Sequence, residues 1–295
     1  MKKIIVLIFL MFFAGSVFSK TTINADDVIR KINSGKEVIY SNTIIRGDLD
    51  FRKVDEKTLN KGFFSNNKTY TIHVRVPLRF SNCTFEGEVI AYFSDDIDNE
   101  LYNVKFHEDA LFSNSVFKMR AAFKYVKFTE NSDFIKSVFY GEALFKYTTF
   151  NDAVVFAGSV FKKEANFKYT KFKDDVDFSN SEYKRVANYK YTDFSEKSIF
   201  TNCIFRDDAN FKYTKFPRKV MFEGSKFLHE ANFKYARFKR GVSFKNTNFD
   251  DDVNFKYTKF SDDVNIKNTK FNGDINSKYA KVNGQSFTKY LLNNR

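Results

Sequence analysis

Large apolar residues recur along most of the chain, with gaps that alternate between six and five residues. The pattern runs from Phe106 to Ser277, and 28 of its 32 positions are Phe. Two residues before each position stands a small or β-branched side chain, such as Ala165 before Phe167. A helical period cannot produce these gaps, whereas residues two apart on a strand share one face. The pattern therefore predicts stacked units, each a short strand followed by a corner, around a core of Phe side chains.

Stacking such units gives an all-β fold, a parallel β-helix, and parallel β connections are right-handed in nearly all cases. The flanking sequence predicts a short capping helix at each end, covering the open edge of the stack. At the N-terminal end, residues 22–34 form an amphipathic pattern that Asn24 can cap and Gly35 can end. At the C-terminal end, Gly284 precedes apolar residues at helical spacing from Phe287 onward.

The rhythm is weaker near the N terminus and divides the chain further. Two segments interrupt it there: 52–77, a polar stretch followed by an alternating strand, and 92–103, which is acidic. The predicted organisation is a signal peptide (1–19), an N-terminal capping helix (20–37), irregular first coils (38–105), a regular β-helix (106–282) and a C-terminal cap (283–295).

The phrase ANFKYTKF at residues 165–172, with near-copies every 22 residues, resembles the pentapeptide-repeat family. The family consensus places a small residue, then Asp or Asn, then a central Leu or Phe. The resemblance covers residues 80–282 closely and 38–51 loosely, and it implies a right-handed quadrilateral β-helix with four units per coil. This chain departs from the consensus by a sixth residue in alternate units, so two of the four corners in each 22-residue coil are expected to be roomier.

Composition and charge add an expectation of export and exclude one family role. The 39 Phe and the absence of Trp indicate one kind of core position filled repeatedly. A basic start, an apolar run over 4–14 and small residues near Ser19 predict a signal peptide, and hence a periplasmic or extracellular protein. The formal charge is +13, or +11 without Lys2 and Lys3, so the acidic DNA mimicry of some family members does not transfer.

The two cysteines, Cys83 and Cys203, both occupy the small inward position two residues before a Phe. The register separates them by at least five coils, or roughly 20–25 Å at about 4.8 Å per coil. A disulfide needs Cα atoms within about 7 Å. Both thiols are therefore predicted to be free and buried.

Two kinds of corner alternate in the regular coils. One has Asn or Gly at its turn, as at Asn180 and Gly158, and these residues predict a type II-like turn with positive φ. The other has Tyr at the equivalent position, and because Tyr disfavours positive φ, that corner is predicted to bend differently. A Lys precedes each Tyr, and a basic residue stands two positions after six of the eight. The predicted binding residues are Lys124, Tyr125, Lys146, Tyr147, Lys168, Tyr169, Lys190, Tyr191, Lys212, Tyr213, Lys234, Tyr235, Lys256 and Tyr257.

A stacked set of tyrosines flanked by two basic columns has two interpretations. As a binding strip, its aromatic faces and cations would hold an acidic glycan or a single-stranded nucleic acid. Alternatively, the tyrosines stabilise the corner, while the Lys stems cover the rings and keep the rod soluble. Surface Lys is ordinarily solvated, which favours the second interpretation.

Other chemistry finds little support in the sequence. The acidic clusters at the roomier corners do not form one continuous column, and calcium needs six to eight converging oxygens. The histidines His73, His107 and His229 are scattered without ligand spacing, and no catalytic motif is present. No cofactor, metal site or catalytic residue is predicted, and an enzyme or ligand site would have room only in 52–77 and 92–103. The expected function is an exported, non-enzymatic structural or interaction module whose partner is an unidentified protein or an acidic polymer.

Overall fold

The computed structural model describes residues 20–61, 68–95 and 97–294, and its main feature is four sheets stacked around a closed bore. Each regular coil contributes one two-residue strand to every sheet. Partner residues in successive strands lie 22 positions apart, as in Ala165 opposite Ala187. In chain order the sheets form faces 1 to 4, with 10, 11, 10 and 13 strands. The predicted all-β solenoid with four faces and a helix at each end is confirmed.

The strands of each face run parallel, except for three antiparallel pairs in face 4. Face 1 consists of Val38–Ser41, Leu78–Ser81, Ala110–Leu111, Ser132–Asp133, Val154–Val155, Val176–Asp177, Ser198–Ile199, Val220–Met221, Val242–Ser243 and Val264–Asn265. Face 2 consists of Thr21–Asn24, Thr43–Arg46, Thr84–Phe85, Val116–Phe117, Val138–Phe139, Val160–Phe161, Glu182–Tyr183, Ile204–Phe205, Lys226–Phe227, Asn248–Phe249 and Lys270–Phe271. Face 3 consists of Leu49–Asp50, Val89–Ile90, Ala121–Ala122, Ala143–Leu144, Ala165–Asn166, Ala187–Asn188, Ala209–Asn210, Ala231–Asn232, Val253–Asn254 and Ile275–Asn276. Face 4 consists of Lys57–Lys61, Lys68–Val74, Tyr92–Asp95, Glu100–Phe106, Lys127–Phe128, Thr149–Phe150, Lys171–Phe172, Asp193–Phe194, Lys215–Phe216, Arg237–Phe238, Lys259–Phe260, Lys281–Val282 and Gln285–Ser286.

The bore is filled by columns of aromatic rings, one column per face. Rings in the same column stack almost parallel, as for Phe139 and Phe161, whose centroids lie 5.0 Å apart with planes 6° apart. Rings from different columns meet edge to face, as for Phe134 and Phe145 at 5.4 Å and 80°. All these rings between 106 and 260 are at most 2% exposed. Aromatic pairs favour both arrangements. Because the spacing between coils, about 4.8 Å, suits stacked rings and neighbouring columns meet edge to face, Phe is favoured at every core position.

The small inward residues of faces 2 and 4 also bond successive coils together. Ser137 Oγ donates to the carbonyl oxygen of Phe112 at 2.6 Å, and Thr170 Oγ1 donates to that of Phe145 at 2.6 Å. Each acceptor begins a turn in the preceding coil. Such a hydrogen bond contributes about 0.5–1.5 kcal/mol net. This bond explains why Ser and Thr, rather than Ala, predominate at these positions.

Both cysteines lie in this inward column of face 2. Cys203 is fully buried, and its Sγ donates to the carbonyl oxygen of Phe178 at 3.0 Å. Cys83 is also buried, and both thiols are free, which confirms the prediction from the register. Burial raises the pKa of the Cys203 thiol well above its ordinary value, so the group remains a neutral donor.

The N-terminal end is closed by a strand and a helix. The strand Thr21–Asn24 pairs with Thr43–Arg46, so the predicted helix loses its first turn to face 2. Helix α1 spans Ala25–Asn33, and its apolar residues are buried against the first coil. The predicted capping residues stand at its two ends. The N–H of Asn24 donates to the carboxylate of the third helical residue at 3.1 Å, and Gly35 follows with a φ of +67°.

The two interruptions form β-hairpins that widen face 4. Their four strands make up an extension of this face, called the wing from here on. Lys57–Lys61 pairs antiparallel with Lys68–Val74, and Tyr92–Asp95 pairs antiparallel with Glu100–Phe106. The two longer strands then pair in parallel along their full length. A single 3-10 turn, Phe51–Lys53, leads into the first hairpin. The sequence anticipated a strand in the first interruption, but it did not anticipate that the acidic second interruption folds the same way.

The C-terminal end is closed by a plug. Gln285–Ser286 pairs antiparallel with Lys281–Val282, and helix α2 follows over Phe287–Asn294, which confirms the predicted terminal helix. Its first residue, Phe287, is fully buried, with its ring centroid 4.6 Å from that of Phe260. The ring therefore covers the bore where the regular columns end.

The predicted signal peptide, residues 1–19, lies outside the described residues, as do residues 62–67. Among the residues that the structure describes, no helix has the length and apolar character needed to cross a membrane.

Candidate binding groove along the tyrosine corner

The tyrosine corner joins face 3 to face 4 as a four-residue turn. Its fourth residue donates an N–H to the carbonyl oxygen of the Phe that begins the turn, as in Thr170 to Phe167 at 3.0 Å. The third residue is Tyr, and the φ of Tyr169 is +61°. The asparagine corner, between faces 1 and 2, has the same bond, and the φ of Asn180 is +58°. The type II-like turn predicted for the asparagine corner is confirmed, and the prediction that the tyrosine corner bends differently is wrong.

Two interactions offset the positive φ of the tyrosines, which costs about 1–2 kcal/mol per residue. Successive rings stack with centroids 4.7–4.9 Å apart and planes 1–16° apart. Before the turn, Asn166 Oδ1 accepts the N–H of Lys168 at 3.2 Å, and the Asn residues of later coils repeat this bond. The sequence rule failed because it judged each Tyr alone, whereas the coil places another Tyr beside it. The tyrosine ladder comprises Tyr125, Tyr147, Tyr169, Tyr191, Tyr213, Tyr235, Tyr257 and Tyr279.

The lysine before each tyrosine belongs to the structure of the corner. These proximal lysines are half-buried, except for the last one, which is exposed. In seven of the eight, Nζ lies 5.0–5.4 Å from the centroid of the following Tyr ring. Such stems cover the rings, as one interpretation of the sequence expected. The proximal lysines are Lys124, Lys146, Lys168, Lys190, Lys212, Lys234, Lys256 and Lys278.

A second column of cations, two residues after the tyrosines, projects from face 4. All members of this column, called the distal cations, are exposed. Thr149 and Asp193 take the place of a cation in two coils, so the run is uninterrupted only from Lys215 onward. The distal cations are Lys127, Lys171, Lys215, Arg237, Lys259 and Lys281.

The last five tyrosines of the ladder and the last four distal cations line one groove of about 670 Å³, called the tyrosine groove. The predicted binding residues Tyr191, Tyr213, Tyr235 and Tyr257 therefore lie together in it, while the proximal lysines do not line it. The sequence showed both basic columns but could not indicate on which side of the tyrosines a groove would form. The lining residues are Tyr191, Tyr213, Lys215, Tyr235, Arg237, Tyr257, Lys259, Tyr279 and Lys281.

The groove is electropositive. Lys215 Nζ lies 3.4 Å from a carboxylate oxygen of Asp193, whereas Arg237, Lys259 and Lys281 have no ion pair among the described residues. Burial, with a further contribution from the neighbouring phenols, raises the pKa of Tyr235 above its ordinary value. The Tyr235 phenol is therefore protonated at neutral pH and can donate a hydrogen bond.

The ladder has different surroundings at its two ends. At the N-terminal end, Tyr92 of the wing packs against Tyr125 with ring centroids 5.6 Å apart. Lys124 Nζ donates to the Tyr92 hydroxyl at 2.9 Å. At the C-terminal end, Tyr279 is 59% exposed. The wing therefore contacts the N-terminal end of the ladder, and the groove lies toward its C-terminal end.

The wing brings together two of the histidines that the sequence analysis called scattered. His73 Nδ1 and His107 Nε2 lie 2.9 Å apart, and Thr58 Oγ1 lies 2.9 Å from His73 Nε2. They meet because parallel strands of successive coils place distant residues side by side. Burial lowers the pKa of His107, which favours the neutral form of that ring. No group of three or more His, Cys, Asp or Glu side chains within the described ranges could hold a metal ion.

The acidic corners bond to the backbone. Asp175 Oδ1 accepts the N–H of Lys197 in the next coil at 3.0 Å, and Asp252 Oδ1 accepts that of Asp274 at 2.9 Å. Carboxylates placed in this way satisfy amide groups at the roomier corners. This role accounts for the acidic clusters without a bound cation.

These features define a β-solenoid repeat protein, a structural module in which each coil repeats the last. The chain belongs to the pentapeptide-repeat family: a model of nine pentapeptide repeats matches residues 145–188, 189–237 and 233–276, and the same coil continues on both sides of the matched region. Comparisons with curated proteins and with solved structures gave no match.

Proposed function

We propose that this chain is an exported, non-enzymatic interaction module that binds acidic polymers along the tyrosine groove. The observation that supports it best is that five consecutive rings of the ladder and an uninterrupted run of distal cations line the same groove. A row of cations with few ion pairs attracts polyanions over its whole length. The rod supplies a rigid platform, because every coil is hydrogen-bonded to the next.

The comparison of the corners favours binding over a purely structural role for the tyrosines. The asparagine corner makes the same turn with residues that tolerate positive φ, such as Asn202. A corner therefore needs no Tyr to close. Residues held in unfavourable backbone conformations cluster at functional sites. The ladder is best explained by what its side chains do at the surface.

The composition of the groove supports a binding role rather than catalysis. Its lining consists of Tyr, Lys and Arg. General acid–base catalysis works best with a group whose pKa is near neutral, and the phenol of Tyr235 is shifted away from neutrality.

Retention on phosphocellulose tests the binding role, because this resin carries anions without sugar sulfates or bases to recognise. We expect the Arg237→Glu/Lys259→Glu variant to elute at clearly lower salt than the wild-type protein. Lys226→Glu/Lys270→Glu is the matched control, since both residues are exposed at the equivalent strand position of face 2, which lies opposite face 4. Equal shifts in the two variants would show that only net charge matters and would overturn the proposal.

Fusion of residues 1–30 to a reporter that is active only outside the cytoplasm tests export. We expect activity from this fusion and none from a fusion that begins at Lys20. Equal activity from both would contradict the proposed export.

A further inference from the structure

The tyrosine ladder offers ring edges, not ring faces, to a ligand. Each interior ring is covered on both sides by its neighbours, as Tyr235 is by Tyr213 at 4.7 Å and Tyr257 at 4.8 Å. Proteins that hold single-stranded nucleic acids stack bases on open aromatic faces. The interior of this ladder has no such face to offer. The interpretation that ring faces bind bases therefore fails along the groove.

The exposed edges have the opposite chemistry from the faces. An aromatic ring is electronegative on its face and electropositive at its edge. Along the groove, these edges carry phenol hydroxyls, and Arg237, Lys259 and Lys281 line the same groove without ion pairs among the described residues. The ligand that suits this lining presents hydroxyl acceptors to the phenols and acidic groups to the cations. Such a ligand needs no base or other flat group.

The spacing of the groove points to a linear ligand. Ring centroids recur every 4.7–4.9 Å along the ladder, and each coil adds one phenol and, from Lys215 onward, one cation. The rise of one sugar in an extended glycan is close to the rise of one coil. An extended peptide presents side chains to one face every two residues, or about 6.6–6.8 Å, and would fall out of step.

We propose that the tyrosine groove binds an acidic polysaccharide lying along the axis of the rod. Its carboxylates or sulfates face the distal cations, and its hydroxyls accept hydrogen bonds from the phenols of the ladder. This inference rests on the proposed function, which it narrows from acidic polymers in general to acidic glycans. Nucleic acid is the competing ligand, because its phosphates would find the cations while its bases would find no open ring face.

The test compares two ligands of equal charge, a size-defined oligogalacturonate and an oligothymidylate, by calorimetry at several salt concentrations. We expect the glycan to bind about tenfold more tightly or better, with a weaker salt dependence, because part of its binding comes from phenol hydrogen bonds. Equal or tighter binding of oligothymidylate would overturn the glycan assignment but leave the proposed function intact. If neither ligand is weakened more by Arg237→Glu/Lys259→Glu than by Lys226→Glu/Lys270→Glu, the proposed function fails as well.

A second variant isolates the phenols. Tyr235→Phe/Tyr257→Phe keeps the stacked rings and the cations but removes two donors from the groove. We expect its glycan affinity to fall about two- to tenfold, with its oligothymidylate affinity and circular dichroism spectrum unchanged. Loss of affinity for both ligands alike, or for neither, would contradict the role given to the phenols.

Discussion

The asparagine corner and the tyrosine corner make the same turn on opposite edges of the same rod. Both hold their third residue at a φ between 51° and 69° in the regular coils, and in most of these coils the fourth residue donates its N–H to the carbonyl oxygen of the first. One corner uses Asn or Gly in all but one of those coils, where Lys136 takes their place, and the other uses Tyr without exception. The difference between them therefore lies in the side chain and not in the backbone.

This difference shows that a repeat protein can tolerate a residue in an unfavourable backbone conformation when the neighbouring coils supply stabilising contacts. An isolated Tyr in a left-handed conformation is strained. In this chain, the next coil places a second Tyr ring with its centroid 4.7 Å away. The Asn at the end of face 3 also accepts an N–H from the turn. The compensation exists only in the stack. The corner has thereby gained a continuous aromatic edge that the asparagine corner lacks.

The largest expected loss of stability comes from truncating the buried Phe that begins each kind of turn, and it tests whether the two corners are packed equally well in the core. Phe200 begins an asparagine turn and Phe211 begins a tyrosine turn, and both are fully buried. We expect each Phe→Ala substitution to lower the free energy of unfolding by about 3–5 kcal/mol, because each leaves a cavity in the bore. Urea denaturation measures both. A gap of more than about 2 kcal/mol between them would show that the corners differ in their core and not only at the surface.

A buried tyrosine provides the next contrast. Tyr189 lies in the bore, and its hydroxyl is 2.6 Å from that of Tyr183, whereas the Tyr191 ring lies in the ladder. We expect Tyr189→Phe to lower the free energy of unfolding by about 1–3 kcal/mol, because it leaves the buried Tyr183 hydroxyl without its hydrogen-bond partner. The double change to Phe should recover most of that loss, and Tyr191→Phe should stay within about 0.5 kcal/mol. No recovery in the double variant would refute the paired hydroxyls.

Exchanging the corner residues tests the compensation directly. We expect Asn202→Tyr to destabilise the protein by about 1–2 kcal/mol, since the new Tyr is strained and has no stacking partner. The reverse change, Tyr213→Asn, should stay within about 1 kcal/mol, because relief of strain offsets the lost stacking. Thermal denaturation of both variants measures this asymmetry. Equal losses would mean that the two corners are not equivalent turns.

The smallest effect concerns ionisation of the ladder. Burial, followed by the neighbouring Tyr147 and Tyr191, raises the pKa of Tyr169 above its ordinary value near 10. Because the folded state favours the neutral phenol, this contribution to stability is complete below pH 10 and is lost as the pH rises through the folded-state pKa. Tyrosinate absorbance should show a later titration in the folded protein than in urea. Tyr147→Asn should shift part of that titration back, and an unchanged curve would contradict the influence of the neighbouring rings.

Much of the fold was readable from the sequence because its core positions are nearly invariant along the chain. The Phe spacing predicted the faces and the bore, the register predicted free thiols at Cys83 and Cys203, and Gly35 marked the end of the first helix. Each of these inferences needs only the residue and its immediate neighbours, or a count of 22. Such local signals are what a sequence states directly.

The remaining features depend on contacts between coils, which a linear pattern does not display. The positive φ of Tyr169, the bond from Thr170 to the preceding coil and the meeting of His73 with His107 all involve residues that are far apart in the chain. The same holds for the candidate site. The sequence predicted the stacking of the tyrosines, which the structure confirms, but it did not indicate that the distal cations and not the proximal lysines would line the groove.

The 22-residue register gives the rod a length that changes only in whole steps. Removing one complete period within the regular coils would join matching strands, shorten the ladder by one ring and leave the plug at Phe287 and the cap at α1 in place. The length of the rod therefore changes in steps equal to the spacing between neighbouring strands, about 4.8 Å. If the proposed function holds, gain or loss of a period would change the number of ligand units that the groove can bind, without altering the contacts of each unit.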